Sequence, residues 1–400
     1  MQLVNSQQLE KVTREMLMQT NSIKGVLFLV FFSFNSLTQT TVAEEQIPAH
    51  RAMFQQFKMG QRNVKSILAE KDIAWIGSSA GLVKYNVETD DYKFYNNHNG
   101  LRANGVFSIN RLADNRLAIG TYGGGLAVLD ESKDDWQLYN VPDGLGDPFV
   151  YDVLNASNGD LWIATWTGVN RVIGGKLDDK SAWQLYTVKS TAGGLPNDWV
   201  YGLAEGDNGV IWLATEGGLA QFKAGQWTNW NHSDGLGADY ALVEEAKSQG
   251  RDPADFSRHH AKQKKEQGLF GVKTAYNPNY IVSMAVQSKS RVWVGTWGAG
   301  LSSFDGKKWL TLTENDGLPS NHIFMLHIIK DILWIGTSKG LVRYDLNTKA
   351  MQIYTSAHGL FADSVFSMDA QADGSLWIGG FGGVSHIISF PSVNPLPSTP

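Results

Sequence analysis

Four hundred residues with 34 Lys and Arg against 39 Asp and Glu carry a formal charge of -5, so no global positive field draws the chain to nucleic acid or anionic lipid. There is no cysteine, which excludes disulfide staples, thiolate nucleophiles and Cys-ligated zinc or haem. Length alone predicts two or three domains, but internal repeats override that prior because each unit packs only against its neighbours.

Taken in chain order, the first feature is Gly25 to Phe34 (GVLFLVFFSF), an uncharged apolar run preceded by Lys24 and followed by a polar stretch ending Thr41-Val42-Ala43. This predicts a secretory signal over residues 1–43, cleaved after Ala43, with Met16 or Met18 as alternative starts. The run is about ten residues where a bilayer needs roughly 20, so a permanent membrane anchor is the lesser reading, and no later stretch is apolar enough to cross one. The mature protein is therefore expected in the periplasm or outside the cell.

Seven near-copies of one phrase follow. They are Ala74-Trp75-Ile76-Gly77, Leu117-Ala118-Ile119-Gly120-Thr121, Leu161-Trp162-Ile163-Ala164-Thr165, Ile211-Trp212-Leu213-Ala214-Thr215, Val292-Trp293-Val294-Gly295-Thr296, Leu333-Trp334-Ile335-Gly336-Thr337 and Leu376-Trp377-Ile378-Gly379. The Trp position, Ala118 in the second copy, recurs after 43, 44, 50, 81, 41 and 43 residues. Periods in the forties with several short strands per unit predict the blades of an all-β propeller.

Each copy divides into four apolar runs separated by turn residues, designated A to D from the axis outward. In the sixth these are Ile323 to Leu326, Leu333 to Gly336, Gly340 to Tyr344 and Met351 to Tyr354. Phrases such as Asp143-Gly144-Leu145 and Asp316-Gly317-Leu318-Pro319 link each D to the next A. Eleven of the 14 tryptophans fall at two repeat positions, in strand B or in the strand D phrase Trp-x-x-Tyr, and are expected to fill the wedge between blades.

The doubled gap places an insertion at residues 241–278, between the fourth and fifth copies. It contains a helix-like run from Ala241 to Gln249, then Asp252-Pro253-Ala254-Asp255, a helix-start signal. The second helix carries Arg258, His259, Lys262 and Lys265, a cationic face that could dock an acidic partner or simply be solvated. The seventh copy ends after strand C, whereas a D-like phrase, Phe54-Gln55-Gln56-Phe57, precedes the first A strand. The expected architecture is a seven-bladed propeller of four-stranded blades over residues 44–390, its last blade closed by this N-terminal strand, with a helical insertion and a Pro-rich tail at 391–400.

The copies resemble the two-component regulator propeller repeat, whose pattern reads Leu-Trp-Ile-Gly-Thr, Gly-Leu, Tyr-Asp and Asp-Gly-Leu-Pro-x-Asn; the likeness is strongest over Leu333 to Asp345 and Asp316 to Asn321. The resemblance implies the periplasmic sensory part of a membrane-bound histidine kinase. Only Ser389 to Pro400 follows Ile388, so the kinase itself is not expected from this sequence, and a separate membrane sensor kinase or envelope protein is the implied partner.

D-to-A crossovers and B-to-C turns share one face of such a disc, so unusual residues there converge on one mouth. Three tryptophans unexplained by the repeat map to it: Trp166 and Trp297 at B-to-C turns, and Trp199 at the start of an A strand. Tyr122 and Phe381 hold the same B-to-C position, and Glu216 replaces the aromatic in the fourth copy. A ring of aromatics at a concave mouth suits the faces of sugars or other planar ligands, although each ring could equally cover its own loop. Acids and amides before strand A, such as Asn104, Asp147, Asp198 and Asp363, are expected to cap turns.

Catalysis has little support. His259-His260 are adjacent rather than at metal-pair spacing, Gly123-Gly124-Gly125 is a strand turn rather than a phosphate loop, and no catalytic residue, metal or cofactor is assigned. The expected function is an extracytoplasmic recognition module that binds a small molecule, glycan or protein at the insertion-bearing face. A structural subunit or assembly factor of an envelope complex is the alternative, and a glycan-acting enzyme the third reading.

Overall fold

The computed structural model describes residues 54–244, 261, 265, 275–287 and 291–390. The signal at 1–43, the tail at 391–400 and most of the insertion lie outside these.

Five copies are separate four-stranded antiparallel sheets. Their inner strands are Val106–Arg111, Val150–Asn155, Val200–Glu205, Asn277–Gln287 and Ile323–Ile329. The remaining strands join in a sheet of order Val365–Ala370, Leu376–Ile387, Phe54–Ala69, Ile73–Ser78, Gly81–Asn86 and Tyr92–Tyr95. Phe54–Ala69 serves two partners. Its Phe54 to Lys58 pair with Ile387 to Gly383, and its Val64 to Ala69 pair with Ser78 to Ala74.

Inner strands pack side by side in chain order, and the last, Val365–Ala370, packs back against Phe54–Ala69. Both faces of each sheet are therefore covered, and the B strands are apolar throughout rather than alternating. Their tryptophans are buried, from Trp75, Trp162, Trp212 and Trp293 to Trp334 and Trp377. Several stack on an outer-strand ring, as Trp162 does on Tyr186 at 5.9 Å.

The crossover phrase has a local cause. Asn140, Asn231, Thr313 and Thr355 each cap a single 3-10 turn by exchanging hydrogen bonds with the residue three positions on, Asp143, Asp234, Asp316 or His358. The Gly that follows takes a positive φ, and the next Leu drops into the core, Leu145, Leu236, Leu318 and Leu360 all being buried. A Cβ on the crossover Gly100, Gly144 or Gly235 would press on Trp136, Trp183 or Trp309 of the next D strand; one on Gly359 would press on Phe54. Phe54 thus meets the glycine of the last crossover as the D-strand tryptophans meet theirs. Of the insertion, Tyr240–Val243 forms one helical turn and Lys265 is an exposed helical residue; the run expected to reach Gln249 is described only to Glu244.

Candidate functional site

Every inner strand breaks register with its B strand at one equivalent residue, and Asn277–Gln287 breaks again between Asn277 and Ile281. The skipped residues are Lys65, Phe107, Tyr151, Tyr201, Val282, Phe324 and Phe366. A β-bulge re-aims the side chain it carries. Here all seven line one cavity of about 730 Å³, enclosed by inner strands from all seven copies.

Rings run round this cavity in continuous contact. Phe107 meets Tyr151 (4.6 Å between ring centres), Tyr151 meets Tyr201 (4.8 Å), and Tyr201 meets Tyr280 (4.8 Å). Tyr280 stacks on Trp297 (5.7 Å), Trp297 meets Phe324 (5.8 Å), and Phe324 meets Phe366 (5.2 Å). Lys65 Nζ lies over the Phe366 ring, 4.4 Å from its centre.

The residues singled out from sequence fall in different places relative to this wall. Trp166 stacks on Trp199 at 4.5 Å with the planes 2° apart, and on Phe149 at 4.1 Å. Tyr122, 48 % exposed, meets both Phe149 and Trp166 edge-on. Tyr122, Trp166 and Trp199 are therefore one cluster, joined to the axial wall where Tyr122 touches Phe107 and Trp166 stacks on Tyr151. Trp297 is part of the wall itself. Glu216 does not face solvent: it is fully buried and accepts a hydrogen bond from the Tyr201 hydroxyl at 3.1 Å, so it backs the wall. Phe381 is exposed and pairs through its backbone with Asn63, and it makes no ring contact with the others among the described residues. Arg258, His259 and Lys262 lie outside the described residues.

The acids and amides ahead of strand A bond backbone. Asn104 accepts from Asn97 N, Asp198 from Val188 N and Asp363 from Ser356 N, all at 2.7 to 2.8 Å. Asp147 accepts from Phe149 N and from the Thr167 hydroxyl.

Sequence reading missed the bulge ring. A signal was present, since a β-branched residue followed by an aromatic opens strand A as Val106-Phe107, Val150-Tyr151, Val200-Tyr201, Ile323-Phe324 and Val365-Phe366. Such pairs read as ordinary buried strand until the register break is known.

Burial sets the electrostatics. It raises the Tyr151, Tyr201 and Tyr280 hydroxyls well above their ordinary range, with neighbouring Tyr280 and Glu216 adding to the effect at Tyr201, so the wall is uncharged. Burial pulls the Lys65 ammonium down to about 8 and, against hydrogen bonds from Leu203 N and Val153 N, pushes the Asp152 carboxyl up to about 6. At the other end of the cavity His327 Nε2 faces Asp369 Oδ1 at 4.0 Å; burial lowers the first and raises the second. A flat neutral ring could stack against the wall, and one charge could be met at Lys65.

Residues 144–167 and 194–217 match the family described as two component regulator propeller. Each match runs from a crossover glycine through an inner strand and a B strand, and together they contain Trp166, Trp199 and Glu216. These two segments carry the two-component regulator propeller repeat. A histidine kinase P4 of Formosa agariphila is 29% identical over 113 residues, covering 26% of this chain and 8% of that protein. The extracellular domain of a putative hybrid two component system from B. thetaiotaomicron is similar in fold, with a TM-score of 0.61 and 19% identity over 82% of this chain and 39% of that one. Virginiamycin B lyase from Staphylococcus aureus is similar at a TM-score of 0.57 and 11% identity, over 86% and 100% of the two chains. The fold is an all-β propeller of four-stranded sheets, and a lyase sharing it shows that fold alone does not choose the function. The chain spans less than half of the two sensor-system proteins it matches. Among its described residues no helix is long and apolar enough to cross a membrane.

Proposed function

We propose that this propeller is an extracytoplasmic recognition domain that takes a ring-shaped ligand against the aromatic wall of its axial mouth and passes the bound state to a separate membrane protein, a sensor kinase by preference. The observation that carries this reading is the unbroken run of rings from Phe107 to Phe366, at a cavity whose volume falls within the range of small-molecule sites. The names of the histidine kinase and of the hybrid two component system support the signalling half. In the same reading the shared sheet is two blades meeting at Phe54–Ala69, which makes seven blades and closes the ring.

The test is ligand binding by the full chain and its Trp166→Ala and Trp297→Ala variants, using intrinsic fluorescence and a panel of monosaccharides, disaccharides and aromatic metabolites. Losing a stacking partner weakens binding of the ligand found by about tenfold, with the melting profile preserved. Unchanged affinity in both variants overturns the aromatic-mouth reading.

A further inference from the structure

We infer that the axial cavity selects ligands bearing one carboxylate on a ring-shaped body, with Lys65 as the group that receives the acid. This rests on the recognition reading above and names the ligand chemistry of that site.

Seven equivalent bulges aim seven side chains at one cavity, and six of them are uncharged rings or, at Val282, aliphatic. The seventh is a lysine. Two other lysines on the sheets have an anion at hand, Lys84 with Glu131 at 2.6 Å and Lys93 with Asp134 at 2.8 Å. Among the described residues no carboxylate forms an ion pair with Lys65, whose ammonium has the Phe366 ring beneath it instead. Asp152, which lines the cavity, and Asp369, which faces the lining His327, are already engaged. Asp152 accepts from Leu203 N at 2.9 Å and Val153 N at 2.8 Å, and Asp369 accepts from Ala69 N at 2.7 Å and Ala370 N at 2.8 Å. A cation half-withdrawn from water without a counter-ion carries a cost, and an entering anion offsets part of it. The depressed value of the Lys65 ammonium fits this, and it still leaves the group mostly protonated at neutral pH. Asp152 in the same cavity and Glu216 behind its wall oppose a second negative charge, which confines the preference to monoanions. Rings on the wall then hold the body of the ligand while Lys65 takes its head.

The experiment is calorimetric titration of the full chain with matched pairs, glucuronate against glucose and phenylacetate against phenylacetamide, in wild type, Lys65→Met and Lys65→Arg. In at least one pair the acid is expected to bind about tenfold more tightly than its neutral partner, the scale of one charge-assisted hydrogen bond. Lys65→Met should abolish that preference and Lys65→Arg keep it. Because Lys65→Met removes a desolvated charge, it should fold at least as well as wild type, checked by its melting profile. Equal binding of acid and neutral members, or a preference that survives Lys65→Met, overturns the inference while leaving ring recognition standing. Failure of every member to bind overturns both. The sugar and aromatic pairs separate the two kinds of ring body.

Discussion

Asp152 illustrates how a side chain can border the cavity yet belong to the scaffold. Its carboxylate on one inner strand accepts Leu203 N from the next, clasping two neighbouring sheets. The folded carboxyl titrates at about 6 because of burial, above the unfolded value near 4. The folded state therefore holds the extra proton between these values, and the stability it contributes is complete below about pH 4 and lost as pH rises through 6. Relative to Asp152→Asn, the wild type should lose stability between pH 4.5 and 7; urea midpoints for both proteins at the two pH values check this, and a constant difference would refute it. Legibility also varies residue by residue. Tyr122, Trp166, Trp199 and Trp297 stood out because the repeat had no use for them. Lys65, Tyr151 and Tyr201 did not, because a one-residue register break is invisible in an apolar run and it alone turns them toward the axis. Glu216 was visible as an exception to the aromatic position, but its burial under Tyr201 follows from the three-dimensional path of the wall.

Among the elements, Phe54–Ala69 carries the largest burden. Phe57 is buried between sheets, stacked on Trp377 at 5.5 Å and edge-on to Tyr85 at 4.9 Å. Phe57→Ala should cost about 3–5 kcal/mol, the usual range for emptying a core aromatic site, read from urea unfolding at constant m-value. A cost near zero would mean the strand is only laid on the surface. Most strands were legible: the sixth copy runs as Ile332–Thr337, Gly340–Asp345 and Met351–Tyr354, within a residue or two of the sequence expectation. Apolar runs bounded by Gly and Asx turns repeat in fixed order, and repetition averages away the ambiguity of any one run. The fusion of Leu376–Ile387 with Phe54–Ala69 into one long sheet was less legible, since the pairing continues across a register shift between Lys58 and Asn63.

For the whole molecule, each inner strand packs on two others, and in the proposed reading they form a closed ring. Linear repeat arrays unfold in segments, whereas a ring loses every neighbour contact together once any sheet opens. The chain should therefore melt in one transition by both tryptophan fluorescence and far-ultraviolet dichroism. Deleting residues 54–58 should lower the midpoint and promote self-association, seen by light scattering, because Gly383 to Ile387 would then present an unpaired edge. Separate transitions in the intact chain would contradict the ring.

The double service of Phe54–Ala69 also orders events in time. Phe54 to Lys58 leave the ribosome ahead of every copy, yet their partners, Gly383 to Ile387, follow more than 300 residues later. At about 5–20 residues per second this strand waits on the order of tens of seconds with its backbone unmatched. Joining these two segments closes a long loop and is thus a late and entropically costly step of assembly. During that interval the nascent chain is most exposed to pairing with another copy of itself, and agents that bind extended apolar segments have their window there.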